Sequence, residues 1–306
     1  TQTLAAEAER YQSFINDRLL WVPSTELLPL SEPKMLLSGL HWLVHQDTIS
    51  ALLNDIARLP AAKSAGLMIW LLGAAVLLFT RRRAHATLER CGQATQKVRT
   101  DSISVTLKAL AATIVLSIWL PWLLIGAGLL LAFLPGASEA TLIYGAGLQA
   151  TGQVFLLLNI IRQLCRPGGL ALSHLNWHPA LCGALGRQAA WLLPIAAPLG
   201  FFVAAGSASV PSDFIRLSIS PQLDNPGLVS IGRLAFAAQM AILAIAVHRI
   251  WRFPGAVMTA FAESPDHSRW VNYHVLWFGP ALLAPALLAL WALLGYFYSA
   301  VFVLSV

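Results

Sequence analysis

Two strings in this sequence set imidazoles at the spacing that metal chemistry uses. His41-Trp42-Leu43-Val44-His45 and His174-Leu175-Asn176-Trp177-His178 each put two histidines at i, i+4, on one face of a helix. Zinc proteases need that spacing with a glutamate after the first histidine and a third ligand elsewhere. Trp42 and Leu175 stand where the glutamate would be. Each pair alone supplies too few ligands for a closed or a catalytic zinc site. Interfacial histidines beside tryptophans are therefore expected, with no metal and no cofactor. The sequence contains no G-x-S-x-G, P-loop or C-x-x-C string. Gly145-Ala146-Gly147 with Gly152 resembles a fragment of a dinucleotide loop, but it lies in an apolar run with no strand before it. Small residues there, like Gly126 and Gly128, are better suited to close approach of helices. No catalytic residue is expected, and the chain is read as something other than an enzyme.

Ionisable groups inside apolar segments are the other route to chemistry, as ion paths or proton relays. Lys108 and Arg233 each fall within about a turn of the end of an apolar run, where a long side chain can snorkel to water. Asp224 is a candidate partner for Arg233, and His248 lies near the end of its run. Gln149, Gln153, Asn159 and Gln239 are the polar residues deeper in. No Asp or Glu falls inside any of these runs. Coupled transport, which places carboxylates or broken helices at the midplane, is disfavoured. So is a pore made by these helices alone.

The elements that must position these groups follow from composition. Hydrophobic residues make up 57% of the 306 and charged residues 11%, with a mean hydropathy of +0.67. Soluble domains carry roughly 25% charged residues, so a soluble globule is excluded, and three cysteines exclude a disulfide scaffold. The fold class is all-α, a polytopic helical membrane protein. A spanning helix needs about 20 apolar residues. Six stretches qualify, near 61–80, 107–134, 140–161, 189–206, 228–250 and 275–303, and the pattern 179–187 extends the fourth inward. Residues 61–306 thus form a transmembrane domain, and 1–60 a segment of different character.

Lys/Arg bias orients the spans. Arg81, Arg82, Arg83, Arg90, Lys97, Arg99, Arg162, Arg166, Arg187, Arg249, Arg252 and Arg269 lie in three alternate loops, while the opposite loops offer only Arg216. The basic loops are expected in the cytosol and residues 1–60 outside. The net charge of +6 then reads as topology and lipid headgroups before nucleic acid. Cys91, Cys165 and Cys182 fall on the cytosolic side, which suits reduced thiols.

The chain starts at Thr1 with no basic n-region, so a signal peptide is not expected within it; one was removed or the chain is part of something longer. Thr3–Leu20 has a polar helix pattern that Pro23 and Pro29 break. Asp47 or Thr48 can then cap a helix with Ile49, Leu52, Leu53, Ile56 and Leu59 on one face and Asn54, Asp55 and Arg58 on the other. That helix either lies among the outer headgroups or packs on an upstream soluble domain. Pro121, Pro194, Pro198, Pro280 and Pro285 each remove a backbone donor, so each can kink a span or merely shape it. Trp21, Trp42, Trp177, Trp191, Trp251, Trp270 and Trp277 sit near the predicted interfaces, as an aromatic belt requires.

Several strings add a resemblance. They are Asn16-Asp17-Arg18-Leu19-Leu20-Trp21-Val22-Pro23-Ser24 after Tyr11, Lys97-Val98-Arg99-Thr100-Asp101-Ser102, and Arg162-Gln163-Leu164-Cys165-Arg166-Pro167-Gly168-Gly169-Leu170-Ala171 before His174 and Trp177. Gly232-Arg233-Leu234-Ala235-Phe236 and Gly295-Tyr296-Phe297-Tyr298-Ser299-Ala300 complete the ordered set. Together they resemble the large, multi-span relatives of the small-conductance mechanosensitive channel. The resemblance implies a Gram-negative inner-membrane protein with a periplasmic N-terminal region, and a homo-oligomer, a heptamer in that family. It also implies extra helices arranged as an outer paddle, the part this sequence resembles, with the channel core outside it. On that reading Arg81, Arg82, Arg83, Arg162, Arg166, Arg249 and Arg252 hold the cytosolic face against anionic headgroups, at about 1 kcal/mol each, or serve topology only. Membrane lipids are the expected partners. A transmembrane subunit or anchor of a transporter or membrane enzyme is the alternative.

Overall fold

The computed structural model describes residues 33–62, 64–95, 103–173, 175–208, 225–251 and 274–305. All regular structure among them is helical. Two shorter helices, α1 (Pro33–Val44) and α2 (Gln46–Ala62), precede α3 (Ser64–Thr95), α4 (Ile103–Ala132) and α5 (Glu139–Leu164). A four-residue turn of helix, α6 (Leu170–Ser173), leads into α7 (Pro179–Ala208), α8 (Pro226–Trp251), α9 (His274–Leu293) and α10 (Phe297–Ser305). The helix pattern at 3–20, Pro23 and Pro29 lie outside the described residues, as do Lys63, Lys97, Arg99, His174, Arg216, Asp224, Arg252 and Arg269.

α3, α4, α5, α7 and α8 are each long and apolar enough to cross a membrane, whereas α9 is a shorter apolar helix over Phe278–Leu293. Each long helix packs chiefly on its neighbours in the chain: α3 on α4, α4 on α5, α5 on α7, α7 on α8 and α8 on α9. The result is an open row rather than a closed bundle. Burial rises along it, from 6% of the spanning window in α3 to 28% in α4 and α5 and 39% in α7 and α8. Met68, Ile69, Leu72 and Phe79 on α3 face outward, 65–83% exposed. A hydrocarbon solvent accommodates that surface.

α3 holds α4 through a reciprocal contact. The Trp70 indole donates to the Leu123 carbonyl at 3.2 Å, and the Trp122 indole to the Trp70 carbonyl at 3.1 Å. Each ring lies over a glycine of the other helix, Trp70 over Gly126 and Trp122 over Gly73, where a Cβ would come within 2.2–2.6 Å of the ring. One turn further in, Pro121 cannot donate to the Ser117 carbonyl, its i−4 acceptor. Asn159 of α5 does so instead at 3.0 Å, and also reaches the Leu116 carbonyl at 3.4 Å. A proline in one helix and a buried amide in the next are thus complementary, as lipid demands of every backbone polar group.

Two short connections are Pro-Gly turns. Leu134-Pro135-Gly136-Ala137 and Arg166-Pro167-Gly168-Gly169 each close with an i+3 N–H to i carbonyl bond, 3.2 and 2.7 Å. Gly136 (φ +65°) and Gly168 (φ +72°) occupy the position where a type II turn needs positive φ. Beyond the first turn Ser138 caps α5, accepting from the Thr141 N–H.

Three expectations change. The stretch 275–303 folds as two helices, and the break is at Gly295 (φ +105°) rather than at a proline. Gly295 N–H bonds the Ala292 carbonyl and Tyr296 N–H the Trp291 carbonyl, the paired bonds by which a glycine just past a helix end stops it. Pro121, Pro194, Pro198, Pro280 and Pro285 all lie inside continuous helices. Second, α3 does not stop near Thr80 but runs through the arginines to Thr95, since Arg, Ala, Leu and Glu are good helix formers. Third, the cap of α2 is His45, whose carbonyl accepts the Ile49 N–H and whose Nδ1 accepts the Asp47 N–H at 3.4 Å. His178 caps α7 in the same way, with Cys182 N–H on its carbonyl and Ala180 N–H on Nδ1. Pro179 follows at the first helical position, where its missing N–H costs nothing. The second histidine of each spaced pair is therefore a helix cap.

On α2, Leu59 of the apolar face is buried and Asn54 and Arg58 of the polar face are exposed, but Asp55 is turned inward. Asp55 and Thr48 are buried, while Ile49, Leu53 and Ile56 are exposed. The Asp55 carboxylate accepts from the Ser138 N–H and the Thr141 hydroxyl, both at 2.7 Å, and from Arg58 at 3.0 Å. An anion at the N-terminus of α5 is favourably placed, and Leu59 packs beside it on Leu131 and Leu134. Burial pushes the Asp55 carboxyl up, but the hydrogen bonds from Ser138 and Thr141 and the Arg58 charge outweigh it and leave the pKa below 3.8. The stabilisation is therefore complete at neutral pH and lost only as acid carries the group through that lowered value. Asp55→Ala should weaken docking of α2 by about 2–4 kcal/mol, from two charge-assisted bonds and the donors they leave unpaired. Hydrogen exchange of the α2 amides should rise in the variant at pH 7, and in the parent only below about pH 4.

Candidate functional site

The arginine-rich end carries an open cavity of about 700 Å³, walled by α3, α4, α5, the turn after α5 and α7. Among the expected headgroup arginines, Arg81, Arg162 and Arg166 meet there, joined by Arg187 and His85. Arg82 and Arg83 are exposed elsewhere on α3. Successive helical residues point about 100° apart, so the three adjacent arginines cannot act as one contact. Arg249 lies over the Trp191 ring, 5.4 Å from its centroid, at the α7–α8 contact. Arg252 lies outside the described residues.

Local structure places each group. Arg162 and Arg166 are i, i+4 at the end of α5, and the Pro-Gly turn starts from Arg166. A Cβ on Gly169 would come within 2.7–2.9 Å of three carbonyls, so only glycine closes this turn. The turn sets the Arg166 guanidinium 2.8 Å from His85 Nδ1 on α3. The Arg81 guanidinium lies over the Trp119 ring at 4.6 Å, within cation–π range. Asn159, Leu116 and Phe155 line the cavity toward the middle of the row. Below the turn Cys165 and Cys182 are buried with Ala171. Burial, reinforced by Cys182, pushes the Cys165 thiol up to about 12, so it stays protonated and unreactive.

Four guanidiniums converge on this cavity, and no carboxylate is among its described lining residues. Such a site attracts anions. It offers planar donors suited to phosphate or carboxylate. Arg187 was counted with the basic loops but not placed at a site, because only the fold-back of residues 165–178 brings it beside Arg162.

At the opposite end Arg233 does not snorkel. It is 2% exposed, and its Nε and Nη2 donate to the Ala292 and Leu293 carbonyls at 3.3 and 3.0 Å. It caps the broken end of α9; Phe236 of α8 and Phe297 of α10 meet edge to face with ring centroids 6.2 Å apart. His41 and His45 stack with centroids 5.2 Å apart at this end, and no group of three metal-binding side chains occurs among the described residues.

The family described as mechanosensitive ion channel inner membrane domain 1 matches residues 65–305. No significant match was found among curated proteins or among solved structures.

Proposed function

This chain belongs to the mechanosensitive ion channel family through its inner membrane domain, and we propose on that premise that it is a tension-responsive accessory region of such a channel, flanking the pore rather than lining it. The observation that carries the reading is the open row with its gradient of burial. A row one helix thick exposes more side surface to lipid than a closed bundle of the same helices. Tension favours the state of larger in-plane area, and helices whose lipid contacts differ between states shift the equilibrium by that difference. The outward apolar face of α3 gives the lipid a large handle, and the Trp70–Trp122 contact passes its position to α4.

In this reading the arginine-rich end is cytosolic, and α1 and α2 are periplasmic in a Gram-negative inner membrane. The chain assembles as a homo-oligomer, a heptamer by the family resemblance to the large multi-span members, and contributes to survival of osmotic downshock. Arg81, Arg82, Arg83, Arg162, Arg166, Arg249 and Arg252 hold the inner face against anionic lipid. Replacing Arg81, Arg82 and Arg83 together should weaken that attachment by about 1 kcal/mol per residue. Patch-clamp recording of the full-length channel should then show a shifted opening tension at unchanged unitary conductance. A changed conductance at an unchanged threshold would mean that these helices shape the pore, and the reading would fail.

A further inference from the structure

We infer that the cavity between Arg81, Arg162, Arg166 and Arg187 is a discrete binding site for the phosphate of an anionic phospholipid, one per chain, and not merely part of a diffuse basic surface. The inference rests on the membrane placement above but not on the channel reading.

Three observations support it. Four cations share one cavity with no carboxylate among its described lining residues, so an anion from outside would relieve their mutual repulsion. Two of them are already oriented. Arg81 is stacked on Trp119, and Arg166 is tied to His85 at 2.8 Å. Arg162 and Arg187 have no hydrogen-bonded or ionic partner among the described residues, and their forks match the bidentate geometry of a phosphate. The size and lining also distinguish between sources of phosphate. About 700 Å³ lies within the range of pockets for ligands of drug size, roughly 300–1,000 Å³, far more room than one inorganic phosphate fills. The part toward the middle of the row is lined by Leu116, Trp119 and Phe155, a surface for glycerol and the first methylenes of an acyl chain. Basic pockets between membrane helices at this depth bind polyanionic headgroups by the same physics.

The test is native mass spectrometry and thermal titration of the full chain in neutral detergent. The probes are phosphatidylglycerol, cardiolipin, phosphatidylcholine and inorganic phosphate. Saturable retention of one anionic lipid per chain is expected, with phosphatidylcholine at least tenfold weaker. Arg162→Ala with Arg187→Ala should weaken the anionic lipid tenfold or more, whereas Arg90→Ala with Lys108→Ala, both exposed and outside the cavity, should change it less than twofold. If the first pair does not insert, Arg162→Lys with Arg187→Lys keeps the charge and loses the forks, and severalfold weaker binding is expected. Inorganic phosphate binding as tightly as lipid, with the same arginine dependence, would keep a phosphate site but assign it to a soluble anion. Equal losses from both alanine pairs, equal binding of phosphatidylcholine, unchanged binding in the lysine pair, or no binding at all would overturn the proposal. Because binding is read without gating, a failed patch-clamp result leaves this outcome independent.

Discussion

Arg233→Met is expected to speed amide exchange at residues 290–300 by about one to three orders of magnitude, which corresponds to about 2–4 kcal/mol of lost local stability. Two effects oppose each other. Removing a buried charge recovers its desolvation cost, and replacing a buried ion by an apolar side chain of similar length is sometimes neutral or stabilising. Here the charge serves a helix end. The last carbonyls of α9 have no continuing helix to accept into, and the guanidinium satisfies two of them while countering the negative end of the helix dipole. Methionine keeps an unbranched apolar stem of similar length and removes the donors. The Leu293 carbonyl would lose its Arg233 donor in an apolar setting, and the Ala292 carbonyl would keep only the Gly295 N–H, and this loss should outweigh the recovered desolvation. Arg233→Lys, a point charge without the fork, should fall between. Exchange in Arg233→Met equal to the parent would show that the guanidinium does not hold this end.

The same residue shows what hydropathy conceals. The run from 275 to 303 is apolar throughout, and Gly295 inside it carries no more hydropathic weight than Gly279. The one stops a helix, and the other lies within one with open space around it. What distinguishes them is a three-dimensional partner, Arg233 on α8, sixty residues away. Spans and the basic end were legible because they depend on summed transfer energy and charge count. Faces were not. On α2 the polar Asp55 is buried for its bonds to Ser138 and Thr141 while Ile49, Leu53 and Ile56 stay exposed, a division that only the start of α5 in three dimensions explains. The i, i+4 spacing of the histidines carries no sign that His45 and His178 cap helix starts, since a cap depends on where the helix begins. The arginines were legible as a group. Their division into cavity members and exposed neighbours follows only from the 100° step of α3 and the Pro-Gly turn after Arg166.

Close helix crossings give the sharpest test of the row itself. Gly206 on α7 and Gly232 on α8 meet backbone to backbone: a Cβ on Gly206 would fall 2.7 Å from Gly232 Cα, and one on Gly232 would fall 2.8 Å from Gly206 Cα. Gly39 and Gly227 repeat the arrangement between α1 and α8, at 2.6 Å. In an open helix position Gly→Ala stabilises by about 1 kcal/mol through propensity. At these crossings the added methyl meets main chain, which cannot swing aside as a side chain does, and overpacking costs about 1–3 kcal/mol or more. Overpacking should win. Gly206→Ala should destabilise by about 1–2 kcal/mol net, and Gly206→Leu by more, because it forces α7 and α8 apart. Gly279→Ala, with nothing within 4 Å of the new methyl, should be neutral or stabilising by up to about 1 kcal/mol. Thermal unfolding of the three variants in one lipid mixture, with energy transfer between labels on α7 and α8, separates the cases. Among the described residues the row is held by contacts between successive helices, so a wedge at Gly206 should lengthen the α7–α8 distance and leave the Trp70–Trp122 contact between α3 and α4 intact. A Gly206→Ala variant as stable as Gly279→Ala, at an unchanged α7–α8 distance, would show that the two helices do not cross at this point.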